Sequence, residues 1–226
     1  YTIYAVDLPG FGQTYYPPFR ELWHMQAIAR SLARFLFSHE SGLGLRNATV
    51  LTHSMGGLMA LQMALRTDSH LVPKDAMREL HLIAPGALKL PAAERDEVRR
   101  KVFPRSEAEV LELINGLHSG DPPQLWRPIL HGLLHDWSRP GYEFLAENTI
   151  ADEDAAFFQP AEIAKLKRPL YLYWGDADHI TDISIARKIK RARPRTQLHV
   201  FPDAGHALHV QRAREFLDAF WKNAKS

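Results

Sequence analysis

Thr52-His53-Ser54-Met55-Gly56-Gly57 decides how the rest of the chain is read. Before it stands the apolar, β-branched run Ala48-Thr49-Val50-Leu51. After it comes the helix-forming run Leu58-Met59-Ala60-Leu61-Gln62-Met63-Ala64-Leu65. A buried strand that feeds a helix through a sharp turn lifts a serine at the turn's apex off the carboxyl end of a sheet, a nucleophile elbow. The N–H of Met55, at the helix start, then faces the place where an oxyanion would form. Gly56 fills one glycine position of G-x-S-x-G and Thr52 stands in the other, so the pattern is one glycine short. The competing reading, a plain strand-to-helix turn with Ser54 as N-cap, stays open on the local pattern alone.

Two later loops weigh against that plain reading. The strand-like run Pro169-Leu170-Tyr171-Leu172-Tyr173-Trp174 leads into Gly175-Asp176-Ala177-Asp178. The run Thr196-Gln197-Leu198-His199-Val200-Phe201 leads into Pro202-Asp203-Ala204-Gly205-His206. Each places a titratable residue just past the carboxyl end of a strand, where open α/β sheets build their sites. The chain order Ser54, Asp178, His206 is nucleophile, acid, base.

Four segments together, Asp7-Leu8-Pro9-Gly10-Phe11-Gly12, His53-Ser54-Met55-Gly56-Gly57, Trp174-Gly175-Asp176-Ala177-Asp178 and Gly205-His206, resemble the α/β-hydrolase superfamily. The resemblance runs from Tyr1 to the C-terminus. The insert with Phe103-Pro104-Arg105-Ser106-Glu107 is similar to the monoacylglycerol-lipase-like and bacterial lipase/esterase branch. The resemblance implies an α/β fold with a mostly parallel sheet covered by helices on both faces. It implies a catalytic triad of Ser54, His206 and Asp178, with the Met55 N–H as one oxyanion donor. The family's acid stands third after the glycine, which selects Asp178 over Asp176, while Asp182 reads as a helix N-cap and Asp203 as a turn former. His53 reads as lining the pocket or supporting the triad. A serine at the elbow argues against epoxide hydrolases and haloalkane dehalogenases, which need aspartate there.

Composition sets wide bounds. At 226 residues, 46% hydrophobic and 24% charged, the chain is an ordinary globule of about one domain. Net charge is +2, and no basic stretch is interleaved with aromatics, so no nucleic-acid surface is expected. There is no cysteine, which removes disulfides and thiol chemistry and fits a reducing compartment, so a cytoplasmic location is expected. No apolar run reaches transmembrane length. No glycine-rich phosphate loop is present, and His131 with His135 share a helix face without a third ligand. The expectation is therefore no metal and no cofactor.

From Ala87 to about Lys165 no strand-like run appears. Residues 106–117 and 125–137 carry helical apolar spacing, and Ser106 with Glu109 suggests a capping box. Residues 1–86 and 161–226 thus read as the core and 87–160 as an inserted helical cap. The cap's apolar residues, among them Leu111, Ile114, Trp126, Leu134 and Trp137, suggest a cleft for a lipophilic acyl group, with Leu134 and Trp137 as substrate-binding candidates. Ordinary cap core is the equal alternative.

The sequence departs from the family at its start. Thr2-Ile3-Tyr4-Ala5-Val6 reads as a buried strand, the fourth in the family order 1-2-4-3-5-6-7-8. No His-Gly loop precedes it, so the second oxyanion donor would lie in a missing N-terminal loop. The third strand, which should lie between strand 4 and the elbow strand, is absent too. The expectation is an incomplete chain, or a strand 4 shifted against the elbow strand. The function expected is a serine hydrolase of carboxylic esters acting on a small-molecule ester with a lipophilic acyl group. The alternatives are a non-catalytic or truncated homologue that acts as a binding module, a thioesterase, a C–C bond hydrolase or a cofactor-free haloperoxidase. The oligomeric state is not legible.

Overall fold

The computed structural model describes residues 2–120 and 125–224. Among these, β1 (Ala48–His53), β2 (Met77–Ile83), β3 (Leu170–Gly175) and β4 (Gln197–Phe201) form one parallel sheet in the spatial order β1-β2-β3-β4. Parallel neighbours need crossovers, and helices supply them. Helix α1 (Met25–Phe37) precedes β1, and α2 (Met55–Arg66) joins β1 to β2. Six helices separate β2 from β3: α3 (Ala92–Val102), α4 (Glu107–Leu117), α5 (Arg127–Trp137), α6 (Pro140–Ala151), α7 (Glu153–Ala156) and α8 (Pro160–Ala164). Helix α9 (Ser184–Ala192) joins β3 to β4, and α10 (Leu208–Gln211) and α11 (Ala213–Ala224) follow.

Strands covered on both faces read as near-continuous apolar runs, and β3 is buried along its whole length. On one face Leu80 and Leu82 of β2 lie in register with Leu170 and Leu172 of β3. The other face is polar and aromatic. His81 stacks on Tyr171 at 4.4 Å, Tyr173 stacks on His199 at 5.2 Å, and Phe216, Phe220 and Asn223 of α11 pack over them. Buried polar groups must be hydrogen-bonded to be tolerated. His81 Nδ1 lies 2.9 Å from Tyr173 Oη, and Glu79 accepts from Thr49 Oγ1 at 2.9 Å and from Arg78 at 2.7 Å. Burial pushes the Tyr173 hydroxyl up to about 12.

Thr2–Val6 is not a strand. The segment pairs with no described strand, and Ile3 is 81% exposed. Nor does it shift against the elbow strand, because β1 pairs only with β2 among the described residues. A strand exists only where a neighbouring backbone accepts its N–H and C=O groups. Apolar β-branched residues give the propensity but not the partner. The free edge of β1 leaves Leu51 42% exposed.

What anchors the first part of the chain is Trp23, fully buried at the end of the short 3-10 turn Arg20–Trp23. Its Nε1 donates to Pro17 O at 3.1 Å, and its ring packs 5.0 Å from Tyr16. A Cβ at Gly10 would sit 2.2 Å from the Trp23 ring and one at Gly141 2.1 Å. Both glycines are therefore required by the indole, which clamps the loop of residues 10–17 to the start of α6. The expected capping box of α4 forms only in part. Ser106 Oγ accepts from Glu109 N at 3.2 Å, but the Glu109 carboxylate turns to Arg105 N at 2.5 Å.

Candidate active site

Ser54 sits between β1 and α2 with φ +51 and ψ −117, a conformation that costs a non-glycine residue on the order of 1–3 kcal/mol. Its N–H donates to Ile83 O at 2.9 Å, which ties the turn to the end of β2. The closest packing falls on Gly57 rather than Gly56. A Cβ at Gly57 would lie 2.6 Å from Pro85 Cβ, whereas one at Gly56 would lie 3.3 Å from Thr52 Cβ. Thr52 is thus accommodated where the motif prefers glycine. Ala84 after β2 (φ +42) and Asp203 after β4 (φ +54) are likewise left-handed, so three strand ends carry bent, strained exits on the same rim.

Asp178 lies past β3 and His206 past β4, both buried. His206 Nδ1 is 2.8 Å from Asp178 Oδ2. An ionised carboxylate only accepts, so the proton of neutral His206 rests on Nδ1 and Nε2 is left as a base. Asp178 is held by its own loop: Oδ1 accepts from Ile180 N at 2.8 Å and Thr181 N at 2.9 Å, and Oδ2 accepts from Thr181 Oγ1 at 2.9 Å. Asp176 does not join this cluster; its carboxylate accepts from Asp203 N at 2.8 Å and fastens the β3 loop to the β4 loop. Asp182 accepts from Ser184 N at 2.8 Å and so caps α9. Ser54 Oγ forms no hydrogen bond to a described residue.

His53 packs against His206 and His209. Its Nε2 lies 3.0 Å from His206 O, and its ring packs 4.6 Å from His206 and 4.5 Å from His209. Burial, then the neighbouring His206 and His209, hold it down at about 3. His81, under α11, is held at about 4 chiefly by burial. The sign follows from these depressions. Below about pH 6.5 the unfolded chain takes up protons that the folded chain refuses, so stability is complete above 6.5 and falls as pH drops towards 4. Each histidine can steepen the loss by up to about 1.4 kcal/mol per pH unit. Denaturant unfolding at pH 7, 5.5 and 4.5 checks this, and unchanged midpoints would contradict it.

Leu134 and Trp137 belong to the packing of the cap helices. Both pack on a satellite cluster of Val110, Ile114 and Leu130 between α4 and α5. Met55 stands first in α2, as the motif requires. Among the described residues no group of three metal-ligating side chains forms, and no helix is long and apolar enough to cross a membrane. His131 instead faces Glu107 at 3.7 Å.

Thr181 is the functional candidate that the sequence did not reveal. It is buried, and its hydroxyl is 2.9 Å from Asp178 Oδ2, 3.2 Å from His206 Nδ1 and 3.3 Å from Ala84 O. It sits at the joint between Asp178 and His206 and links both to the strained end of β2. The only local signal is the Asp-x-x-Thr spacing, which suits a side chain folding back on its own loop.

A parallel sheet with a strained serine turn and a buried aspartate–histidine pair at one rim defines a class. A family model described as the alpha/beta hydrolase fold matches residues 1–213, and the chain belongs to that family. It is 26% identical over 233 residues to a pimeloyl-[acyl-carrier protein] methyl ester esterase of Chromobacterium violaceum, covering 97% of this chain and 82% of that protein. It is 24% identical to monoacylglycerol lipase abhd6-B of Xenopus laevis, covering 93% of this chain and 64% of the relative. Among solved structures, a 2-hydroxy-6-oxo-6-phenylhexa-2,4-dienoate hydrolase from Rhodococcus sp. strain RHA1 superposes with a TM-score of 0.78 at 17% identity, covering 97% of this chain and 78% of that one. The chain spans from 54% to 82% of the length of the curated relatives it matches.

Proposed function

We propose that this protein hydrolyses carboxylic esters through Ser54, His206 and Asp178. The observation that carries the reading is the buried 2.8 Å contact between His206 and Asp178 on the same rim as the strained Ser54 turn. His206 Nε2 takes the Ser54 proton as Oγ attacks the ester carbonyl carbon. The carbonyl becomes a tetrahedral oxyanion facing the Met55 N–H. Collapse expels the alcohol, which leaves with the proton held by His206. Water then enters by the same base and frees the acid. Asp178 stabilises the transient imidazolium, and His53, neutral through this range, adds no opposing charge. The relatives named as a lipase and a methyl ester esterase support an ester with an acyl chain as substrate.

Two measurements test this. A fluorophosphonate should label the protein, with the adduct mapped to Ser54 by mass spectrometry; labelling elsewhere, or none, rejects the reading. The kcat/KM profile on a p-nitrophenyl ester should rise with an apparent pKa of about 6–7, since the base must be neutral. Thr181→Val removes one donor from Asp178, leaving its charge freer to stabilise the imidazolium. The rising limb should then move to higher pH, with kcat reduced by roughly tenfold, about one hydrogen bond's worth. An unmoved limb would leave Thr181 a merely structural residue.

A further inference from the structure

A cavity of about 460 Å³ opens among α3, α4, α5 and α6, and no residue of the serine turn lines it. Four arginines line it, Arg99, Arg100, Arg105 and Arg139, against the two acidic residues Glu109 and Glu143. Arg139 is paired with Asp136 at 2.5 Å, and Arg105 approaches Glu143 at 3.6 Å. Arg99 and Arg100 make no ion-pair contact among the described residues. Basic residues in the last turn of α3 are partly accounted for by the helix dipole. That account suits Lys101, which pairs with Glu97 at 2.8 Å, but does not explain why further arginines from two other parts of the chain converge on the same hollow. Four arginines against two carboxylates leave an excess of positive charge in the hollow; like charges repel, and an anion placed between them removes the repulsion.

The remaining walls say what the anion is attached to. Phe103, Trp137 and Tyr142 line the same cavity, and Tyr142 is itself held edge-on by Phe11 at 5.1 Å. Flat aromatic walls bury an apolar body, and a hollow of this size lies within the range of small-molecule sites. Guanidinium forks take carboxylate or phosphate oxygens in pairs. Helix α4 connects this hollow to the proposed site. Glu109 lies on the cavity, while at the other end Leu117 O accepts from Ala207 N at 2.8 Å, next to His206. Eight residues of helix separate them by roughly 12 Å.

We propose that this cavity is a binding site for an amphipathic anion, with a terminal carboxylate or phosphate held by Arg99, Arg100 and Arg105 and an apolar body laid against Phe103 and Trp137. The site does not depend on the hydrolase reading. Calorimetric titration of the whole chain tests it with three probes: 4-phenylbutyrate, phenyl phosphate and the neutral 4-phenylbutyramide. At least one anion should bind saturably, about tenfold or more tighter than the amide, and its affinity should fall as salt is raised. The two anions distinguish a carboxylate source from a phosphate source. Arg99→Gln with Arg100→Gln should weaken the anion about tenfold or more, whereas Arg187→Gln with Lys188→Gln on α9, the same charge removed elsewhere, should not. Ser54→Ala should bind as the wild type does. Equal binding of the amide, affinity unmoved by salt in the wild-type protein, or full affinity in the Arg99/Arg100 variant would each overturn the proposal.

Discussion

Ser54→Ala is expected to lower kcat for ester hydrolysis by about 10³-fold or more and to abolish fluorophosphonate labelling, while the protein stays folded. The size follows from the way a triad works as a unit: without the nucleophile, the base and acid have nothing to activate. What remains is the background supplied by binding and the oxyanion donor. Stability should hold or rise slightly. Ser54 Oγ makes no hydrogen bond to a described residue, and its φ of +51 is a strain that the surrounding packing imposes on any residue placed there. Initial rates on a p-nitrophenyl ester, with far- and near-ultraviolet circular dichroism as the fold control, decide the matter. Residual activity above about one part in 10³ would take the nucleophile role away from Ser54.

Trp23→Ala is expected to cost about 3–5 kcal/mol of stability, the usual range for emptying a buried aromatic site. In a chain of this length that corresponds to a melting point lower by roughly 10 °C. The indole has no exposed surface and fills the space kept open by Gly10 and Gly141. Its removal frees the loop of residues 10–17 from α6, and the loop has few other anchors, the Gly141 N–H to the Tyr16 hydroxyl among them. Trp23→Phe should lose less, since part of the ring volume remains. Thermal unfolding of the two variants checks the ordering. A loss below about 1 kcal/mol for alanine would mean that neighbouring side chains collapse into the gap.

How much of this was legible in the sequence depended on how locally each feature is specified. The serine turn, the helix after it and the two loops carrying Asp178 and His206 were readable, because strand propensity, turn chemistry and spacing all lie within ten residues of one another. Asp182 as a cap and Asp203 as a turn former were readable for the same reason. Thr2–Val6 was misread because its residue types describe a strand, while among the described residues no backbone pairs with it. The weight placed on Gly56 was misplaced: what restricts Gly57 is Pro85, distant in the chain but in contact across the strand ends. Thr181 and the arginine cavity were invisible for a related reason. The first acts on His206, 25 residues away, and the second draws Arg99, Arg105 and Arg139 from three segments with no common motif.

The hydrogen bonds around Asp178 bear on how a turnover begins. Two backbone N–H groups, the Thr181 hydroxyl and His206 Nδ1 all point at one buried carboxylate. In water the same carboxylate would be met by mobile dipoles that must swing round each time the neighbouring imidazole gains or loses charge. Here the dipoles are fixed by the covalent chain and already face the right way. The work of orienting them is done once, when the polypeptide folds, and need not be repeated with each molecule that reaches the serine. A variant that leaves all four donors present but loosens the Asp178 loop should therefore react more slowly with no atom missing from the site.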